Sequence, residues 1–156
     1  MSKIFIKIKL VHLIWLFFLL LNITFSFSAY SEALATEWLS LKYDKTYLRS
    51  GPSKQNKVLW TYKKKGLPIK LIRKKGDWYE VEMPEQIKGW INSTQISFKR
   101  RVLVISENPI NVRKKEEISS KIVAKASRNV VGELIGCQKR FCKIDFYKIE
   151  GFVEKD

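Results

Sequence analysis

The chain carries the same order of residue types twice, and this internal repeat constrains its fold more than any single motif. The first copy contains Tyr47-Leu48-Arg49, Val58-Leu59, Trp78-x-x-Val81 and Gly89-Trp90-Ile91, and the second contains Asn111-Val112-Arg113, Ile122-Val123, Phe141-x-x-Ile144 and Gly151-Phe152-Val153. The offset falls from 64 residues between the arginines to 62 residues between the glycines, as two single-residue deletions in loops would cause. Each copy is close to the smallest size at which one core folds alone. The repeat therefore predicts two small tandem domains.

The first 35 residues have the pattern of a targeting segment. Lys3, Lys7 and Lys9 precede an apolar run from Leu10 to Phe27, and Ala33-Leu34-Ala35 has the small-x-small form of a cleavage site. We expect a signal peptide at 1–35, with Ala33 and Ala29 as weaker cleavage positions. The alternative is an uncleaved anchor in the inner membrane, because the run is just long enough to span a bilayer. Either reading predicts export to the periplasm or the outside of the cell.

Beyond the leader the apolar residues recur with a period of two. Val58, Trp60 and Tyr62 alternate with other residues, and the runs are short and separated by turn signals such as Gly51-Pro52 and Gly76-Asp77. Short antiparallel strands in fewer than about 60 residues bury their apolar face only when the sheet curls into a barrel. The prediction is an all-β protein with two small half-open barrels, at 36–98 and 99–156. Gly89 and Gly151 each lie at the start of a strand, where the missing side chain is expected to let a neighbouring backbone or ring pack closely.

These motifs resemble the bacterial SH3-like domain family in its tandem exported proteobacterial form. The resemblance is carried by Leu-Arg-Ser-Gly-Pro-Ser at 48–53, Lys-Lys-Gly-Leu-Pro at 64–68, Asp-Trp-Tyr-Glu-Val at 77–81, Lys-Gly-Trp-Ile at 88–91, Asn-Val-Arg at 111–113 and Gly-Phe-Val at 151–153. It implies half-open barrels of five to six strands that target the cell wall or envelope without activity of their own. The second copy is degenerate, since Phe141 and Phe152 replace two Trp residues, so the first copy is the better candidate for ligand binding.

The positive charge restricts the choice of partners. The whole chain has a formal net charge of +15, and removing the leader's three Lys and Glu32 leaves 27 basic and 14 acidic residues. Export makes nucleic acid an improbable partner, and leaves peptidoglycan, an envelope protein, anionic lipid or lipopolysaccharide. The basic clusters at 63–65, 73–75, 99–101 and 113–115 also fit solvated loop tips that protect strand edges. The oligomeric state is left open.

The sequence lacks the residues of a common active site. The only histidine, His12, lies in the leader, so the mature chain has no imidazole for a Ser-His or Cys-His nucleophile or for a zinc site. Glu80, Glu82 and Glu85 lie among positive charges on a strand expected to be exposed, which favours ionised surface carboxylates over a glycosidase pair. We expect no catalytic residues, no metal and no cofactor.

Cys137 and Cys142 flank Gln-Lys-Arg-Phe in the predicted hairpin of the second copy. The spacing is too sparse for a metal site and differs from the redox Cys-x-x-Cys motif. In an oxidising compartment two thiols facing each other across a hairpin would form a structural disulfide, and two reduced thiols are the alternative.

Aromatic residues define the candidate ligand site in the first copy. So small a barrel cannot enclose all of its rings, so some are expected at the surface beside Arg49. The candidates are Tyr47, Arg49, Trp78, Glu80 and Trp90. The alternative is that the Trp side chains only fill the core and the contact between copies, an interpretation that suits Trp60 and Trp38 best.

Three functional hypotheses follow. The first is a non-catalytic envelope module that binds wall material or an anionic surface. The second is a protein-interaction scaffold in an envelope complex, and a minor hydrolase is a distant third.

Overall fold

The computed structural model describes residues 37–155. The predicted signal peptide and its membrane-anchor alternative lie outside these residues. Within 37–155, no helix combines the length and apolar character needed to cross a bilayer.

The first sheet has seven antiparallel strands. They are β1 (Trp38–Leu41), β2 (Thr46–Arg49), β3 (Val58–Tyr62), β4 (Pro68–Lys75), β5 (Trp78–Glu82), β6 (Lys88–Asn92) and β7 (Ile96–Ser97). Their order is β3-β2-β6-β5-β4-β1-β7, and a single 3-10 turn, Ser93–Gln95, connects β6 to β7. Asn92 caps this turn because its Oδ1 accepts a hydrogen bond from the Thr94 N–H.

The second sheet repeats the arrangement with six strands. They are β8 (Arg101–Leu103), β9 (Ile110–Arg113), β10 (Ile122–Ala126), β11 (Val131–Gln138), β12 (Phe141–Asp145) and β13 (Glu150–Glu154), in the order β10-β9-β13-β12-β11-β8. This order equals that of β1 to β6. The register also repeats, since β4 has a bulge between Leu71 and Arg73 and β11 has one between Leu134 and Gly136. The all-β prediction with two SH3-like sheets is confirmed.

One core lies inside the first sheet. Its buried strand residues come from every strand of the sheet except β3: Leu39 and Leu41, Leu48, Ile69, Val81, Ile91 and Ile96. Side chains from β1, β2, β4, β5, β6 and β7 can share one core only if the sheet is rolled, which is what the short alternating runs predicted. The second core is smaller, with Val104, Val112 and Ala126 at its centre.

Gly89 and Gly151 occupy equivalent positions that leave no room for a side chain. A Cβ at Gly89 would lie 2.7 Å from Leu48 Cγ and 2.9 Å from the Arg49 carbonyl oxygen. A Cβ at Gly151 would lie 2.5 Å from Val112 Cγ1 and 2.8 Å from the Arg113 carbonyl oxygen. In both sheets the glycine therefore lets the sixth strand approach the second one closely, as the sequence predicts.

The hairpins between the fourth and fifth strands of the two sheets differ in their turn residues. Gly76-Asp77 joins β4 to β5, and Gly76 has a φ of 54°. Lys139-Arg140 joins β11 to β12, and Lys139 adopts a φ of 43° without the freedom of a glycine. A disulfide between the directly opposed Cys137 and Cys142 closes this second hairpin, with their Cα atoms 4.0 Å apart.

The two sheets touch through the beginning of the second one. Leu103 of β8 packs against the first core. The Lys64 ammonium donates a hydrogen bond to the Asn129 carbonyl oxygen, and Gly66 lies close to the side chains of Arg101 and Val131. The Ser40 hydroxyl donates to the Lys99 carbonyl oxygen at 2.9 Å, which fixes the connection between the sheets.

Candidate functional site

The outer face of the first sheet brings four side chains into one row. Strand register pairs Arg73 with Glu80, Glu80 with Trp90, and Trp90 with Arg49 across β4, β5, β6 and β2. Side chains on one strand alternate between faces, so these four project from the same side of the sheet. The opposite side carries Leu48, Val81 and Ile91, which are buried in the core.

Arg73 covers the middle of this row. Its guanidinium forms an ion pair with Glu80 and lies 5.3 Å from the centre of the Trp90 ring. Trp90 is only 6% exposed. A cation over an indole face adds electrostatic attraction to the packing. Trp90 is thus a supporting ring beneath Arg73 rather than an open ligand platform.

A groove of about 580 Å³ lies at the end of the face near the β4–β5 turn, and we call it the Arg49 groove. It is lined by Arg49, Pro52, Ser53, Lys54, Gln55, Asp77, Trp78, Asn92, Thr94 and Gln95. The Gly51-Pro52 turn forms one wall, and the 3-10 turn after β6 forms the other. Trp78 is partly exposed and supplies the aromatic surface.

Hydrogen bonds orient the two amide side chains of this groove. Gln95 Oε1 accepts from the Tyr47 backbone N–H at 3.2 Å, and Asn92 Oδ1 accepts from the Thr94 hydroxyl at 2.6 Å. Because each oxygen faces a donor, each amide NH₂ points elsewhere, and within 37–155 neither NH₂ has a hydrogen-bond partner. With the guanidinium of Arg49 they form a set of donors, and such a set suits a ligand rich in carbonyl and carboxylate oxygens.

Arg49 also has a mechanical task. Its Nη1 donates to the Asn56 carbonyl oxygen at 2.8 Å, which ties the loop after β2 to the sheet. Arg113 makes the equivalent bond to the Ser120 carbonyl oxygen at 3.0 Å in the second sheet. The sequence identified Arg49 as a ligand residue and missed this structural bond, although its repetition at Arg113 was a visible sign of a shared structural role.

Tyr47 lies beside the groove on the outer face of β2. The guanidinium of Arg49 and the ammonium of Lys45 lie 5.7 Å and 5.2 Å from the centre of its ring. A hydrogen bond with Tyr47, together with the charge interaction between the two groups, raises the pKa of Lys45. Cations thus surround Tyr47.

The five predicted site residues share one face but not one role. Arg49 and Trp78 line the groove, and Tyr47 borders it. Glu80 is held by Arg73, and Trp90 lies beneath that arginine. Asn92 and Gln95 were missed because a single amide in a sequence carries no mark of its orientation.

Two predictions about packing are wrong. Trp60 was expected to pack inside, but it is 56% exposed because β3 is the terminal strand of the sheet. Trp38 was also expected to pack, and it is 54% exposed at the start of β1. Period-two alternation tells which residues share a face of a strand, but it does not tell whether another strand or loop covers that face.

Two carboxylates near the site are paired with cations, whereas Asp77 of the groove lining forms no ion pair with any of residues 37–155. Glu80 pairs with Arg73, and Glu82 lies 3.6 Å from the Lys88 ammonium. Among the described residues no group of three or more His, Cys, Asp or Glu side chains is arranged to hold a metal ion. The groove can therefore bind through hydrogen bonds, charge and aromatic contact.

Comparison with known proteins gives one family match and several distant structural likenesses, among them two NlpC structures. Residues 42–97 match the family model of the bacterial SH3 domain. No curated protein matches the chain. The structure of NlpC2 from Trichomonas vaginalis aligns over 78% of this chain and 47% of its own, with 10% identity and a TM-score of 0.37. The structure of NlpC1 from the same organism aligns over 81% and 46%, with 12% identity and a TM-score of 0.36. The chain thus spans about half the length of these two structures, and likeness this weak carries no functional argument.

Proposed function

Since residues 42–97 form a bacterial SH3 domain, we propose that the chain is an exported, non-catalytic module that binds cell-wall material through the Arg49 groove. The ligand class is a peptide or glycopeptide that carries free carboxylates, such as the peptide part of peptidoglycan. Export through residues 1–35 is part of this proposal. Bacterial SH3 domains are typically binding modules, which agrees with a site built from donors and one aromatic ring.

The arrangement of donors in the groove is the observation that carries the proposal. Arg49, Asn92 and Gln95, which carry N–H donors, come from β2, the end of β6 and the 3-10 turn and line one space of about 580 Å³. Trp78 gives an apolar surface beside them. A wall peptide offers carboxylates and backbone carbonyls as acceptors and alanine-sized side chains for the ring.

Charge supports the same ligand class at longer range. Without the leader, 27 basic and 14 acidic residues give a net charge of +13, which attracts an anionic polymer before any specific contact forms. Attraction of this kind weakens with salt, whereas hydrogen bonds in a groove persist. Salt dependence therefore separates specific recognition from general attraction.

Binding to purified peptidoglycan sacculi tests the proposal. The double variant Asn92→Asp and Gln95→Glu keeps both acceptor oxygens, and hence the hydrogen bonds to Thr94 and Tyr47, but replaces both NH₂ donors by anionic oxygens. We expect the wild-type chain to stay bound at about 0.3 M salt, where the screening length is about 6 Å. We expect the double variant to bind at least about tenfold more weakly, as the loss of about 1.4 kcal/mol or more implies.

A matched control carries the same change in net charge at exposed positions elsewhere, Gln86→Glu with Asn108→Asp. This control should bind sacculi within about twofold of the wild type. Equal losses in both double variants would mean that charge alone is responsible. Failure of the wild-type chain to bind sacculi would contradict the proposed function.

The alternative of a protein-interaction scaffold is favoured by a different feature, the exposed strand β3. This terminal strand presents Val58, Leu59 and Trp60 to solvent. An extended segment of another protein could add to its free edge. In that case Trp60→Lys would abolish crosslinking of an envelope protein to β3, and the Asn92→Asp, Gln95→Glu variant would not.

A further inference from the structure

The outer face of the second sheet has the same row of positions as the first but different side chains. Register pairs Gly136 with Lys143, Lys143 with Phe152, and Phe152 with Arg113. The repeat aligns these with Arg73, Glu80, Trp90 and Arg49 in turn. The arginine that covers the central ring of the first sheet is therefore a glycine in the second.

This exchange leaves open space where the first sheet is filled. A Cβ built on Gly136 meets nothing within 4 Å. Beside it lies a cavity of about 650 Å³, which we call the Phe152 pocket. Its open apolar surface comes from Ile135 and Phe152, whereas Phe141 is only 7% exposed and lies at its base, and Cys137 of the disulfide lies at its side.

The rim of the pocket carries charge. Lys114 and Lys115 border it from the loop after β9, where Glu116 and Glu117 also lie. Lys143 borders it from β12 and is ion-paired with Glu150. Neither Lys114 nor Lys115 forms an ion pair with any of residues 37–155. Among the described residues Glu116 and Glu117 form none either, so two ammonium groups and two carboxylates lie unpaired at the rim.

We propose that the Phe152 pocket is a second binding site, which accepts a small amphiphilic anion with a flat apolar part and one acidic group. The Phe152 ring and the Ile135 side chain contact the apolar part, and Lys114 or Lys115 binds the acidic group at the rim. A pocket of several hundred Å³ with an apolar lining and few polar groups suits a ligand of this size. The site differs in place and in ligand class from the Arg49 groove, so the two proposals are independent and failure of one leaves the other unaffected.

The dye 1-anilinonaphthalene-8-sulfonate has this chemistry, and N-phenyl-1-naphthylamine is the same ring system without the sulfonate. The wild-type chain should bind one equivalent of the sulfonate dye at least about tenfold more tightly than the neutral one. Titration by dye fluorescence gives both dissociation constants. Equal affinity for the two dyes would overturn the role of the lysines, and no binding of either would overturn the site.

Gly136→Arg restores the residue found in the first sheet and should close the pocket over Phe152. It adds a positive charge, yet it should weaken binding of the anionic dye at least about tenfold. Asn108→Arg adds the same charge at an exposed loop position and should leave the affinity equal or slightly tighter. Unchanged affinity in Gly136→Arg would place the dye elsewhere and overturn the proposal. Circular dichroism and thermal unfolding check that the arginine variant folds.

The rim is tested by Lys114→Gln with Lys115→Gln, against Lys57→Gln with Lys63→Gln on the first sheet. The rim variant should bind the sulfonate dye about fivefold more weakly and the neutral dye equally well, and the control should change neither. Amide chemical shifts give an independent readout. Shifts centred on Gly136 and Phe152 support the site, and shifts centred on the exposed Trp60 overturn it.

Discussion

Arg49 and Arg113 show how one residue type performs one mechanical task in two places. Each lies on the outer face of the second strand of its sheet. Its guanidinium donates a hydrogen bond to a loop carbonyl oxygen seven residues further along the chain. The sequence marks Arg49 as a candidate ligand residue, because an arginine beside aromatic rings is typical of binding surfaces. The bond to Asn56 could not be predicted, since the path of a loop depends on backbone angles that the sequence does not state.

Strands β2 and β6 approach closely at Gly89, so even a small substitution there is expected to lower the free energy of unfolding considerably. Gly89→Ala would force its methyl group against Leu48 and the Arg49 carbonyl oxygen, and backbone atoms cannot move aside easily. We expect the free energy of unfolding to fall by about 1–3 kcal/mol. Urea denaturation followed by tryptophan fluorescence measures it.

Gly136→Ala is the control for this prediction, because its Cβ would meet only open space. That variant should be neutral or slightly more stable, since alanine restricts the unfolded chain. An equal loss of stability in the two variants would contradict the explanation.

Tyr62 predicts a change of stability at high pH. Burial raises its pKa from 10.0 to about 12, and the carboxylate of Glu85, 3.5 Å from its hydroxyl, adds to the shift. The folded state holds this proton more tightly than the unfolded state, so the contribution is complete below pH 10.0 and is lost as the pH rises through about 12.

Tyrosinate absorbance of the wild type minus that of Tyr62→Phe should therefore titrate near pH 12. Glu85→Gln should move this midpoint part of the way towards 10.0, because burial remains the larger cause. A midpoint at 10.0 in the wild type would refute the assignment.

At the scale of strands and hairpins, the sequence predicted what local patterns encode. Alternating apolar residues and turn pairs such as Gly76-Asp77 were enough to predict strands and their hairpin. The Phe152 pocket was missed, because the change from Trp to Phe suggested a weaker site. The informative difference was Gly136 in place of Arg73. The space left by an absent side chain can be recognised only when its neighbours in the fold are known.

The disulfide of the β11–β12 hairpin predicts a local effect of reduction. It closes a short loop, with a sequence separation of 5, so the chain-entropy model gives a stabilisation of at most about 2 kcal/mol. All tryptophans within 37–155 lie in the first sheet, at positions 38, 60, 78 and 90. Reduction should therefore lower the unfolding midpoint seen by far-ultraviolet circular dichroism, and shift the tryptophan transition less, only by the part of the loss that the Leu103 contact transmits to the first sheet.

Cys137→Ser with Cys142→Ser should reproduce the effect of the reductant and make the chain insensitive to it. A larger shift in the tryptophan transition than in circular dichroism would show that the bond acts on the first sheet instead.

At the scale of the whole described chain, the two sheets depend on one another through β8. Leu103 belongs to the second sheet by hydrogen bonding and to the first core by packing. The repeat predicted two copies but not this contact, because a repeated pattern describes what the copies share and not how they meet. The second core, with its few buried residues, adds reason to expect mutual support.

Leu103→Ala tests this dependence. It removes apolar contacts from the first core, so the tryptophan transition should lose about 2 kcal/mol although the residue lies outside the first sheet. Ile105→Ala, at a position 75% exposed, should change little. A tryptophan transition untouched by Leu103→Ala would show that the sheets unfold independently.

The shared strand order of β1 to β6 and β8 to β13 has a practical consequence. Where two aligned positions carry different residues, the molecule already contains both residue types at equivalent places in the same strand order. Exchanging Arg73 and Gly136 between the halves would move an open cavity from one half to the other while leaving composition and net charge unchanged. The exchange should then transfer ligand preference from one half to the other, and each half serves as the control for its counterpart.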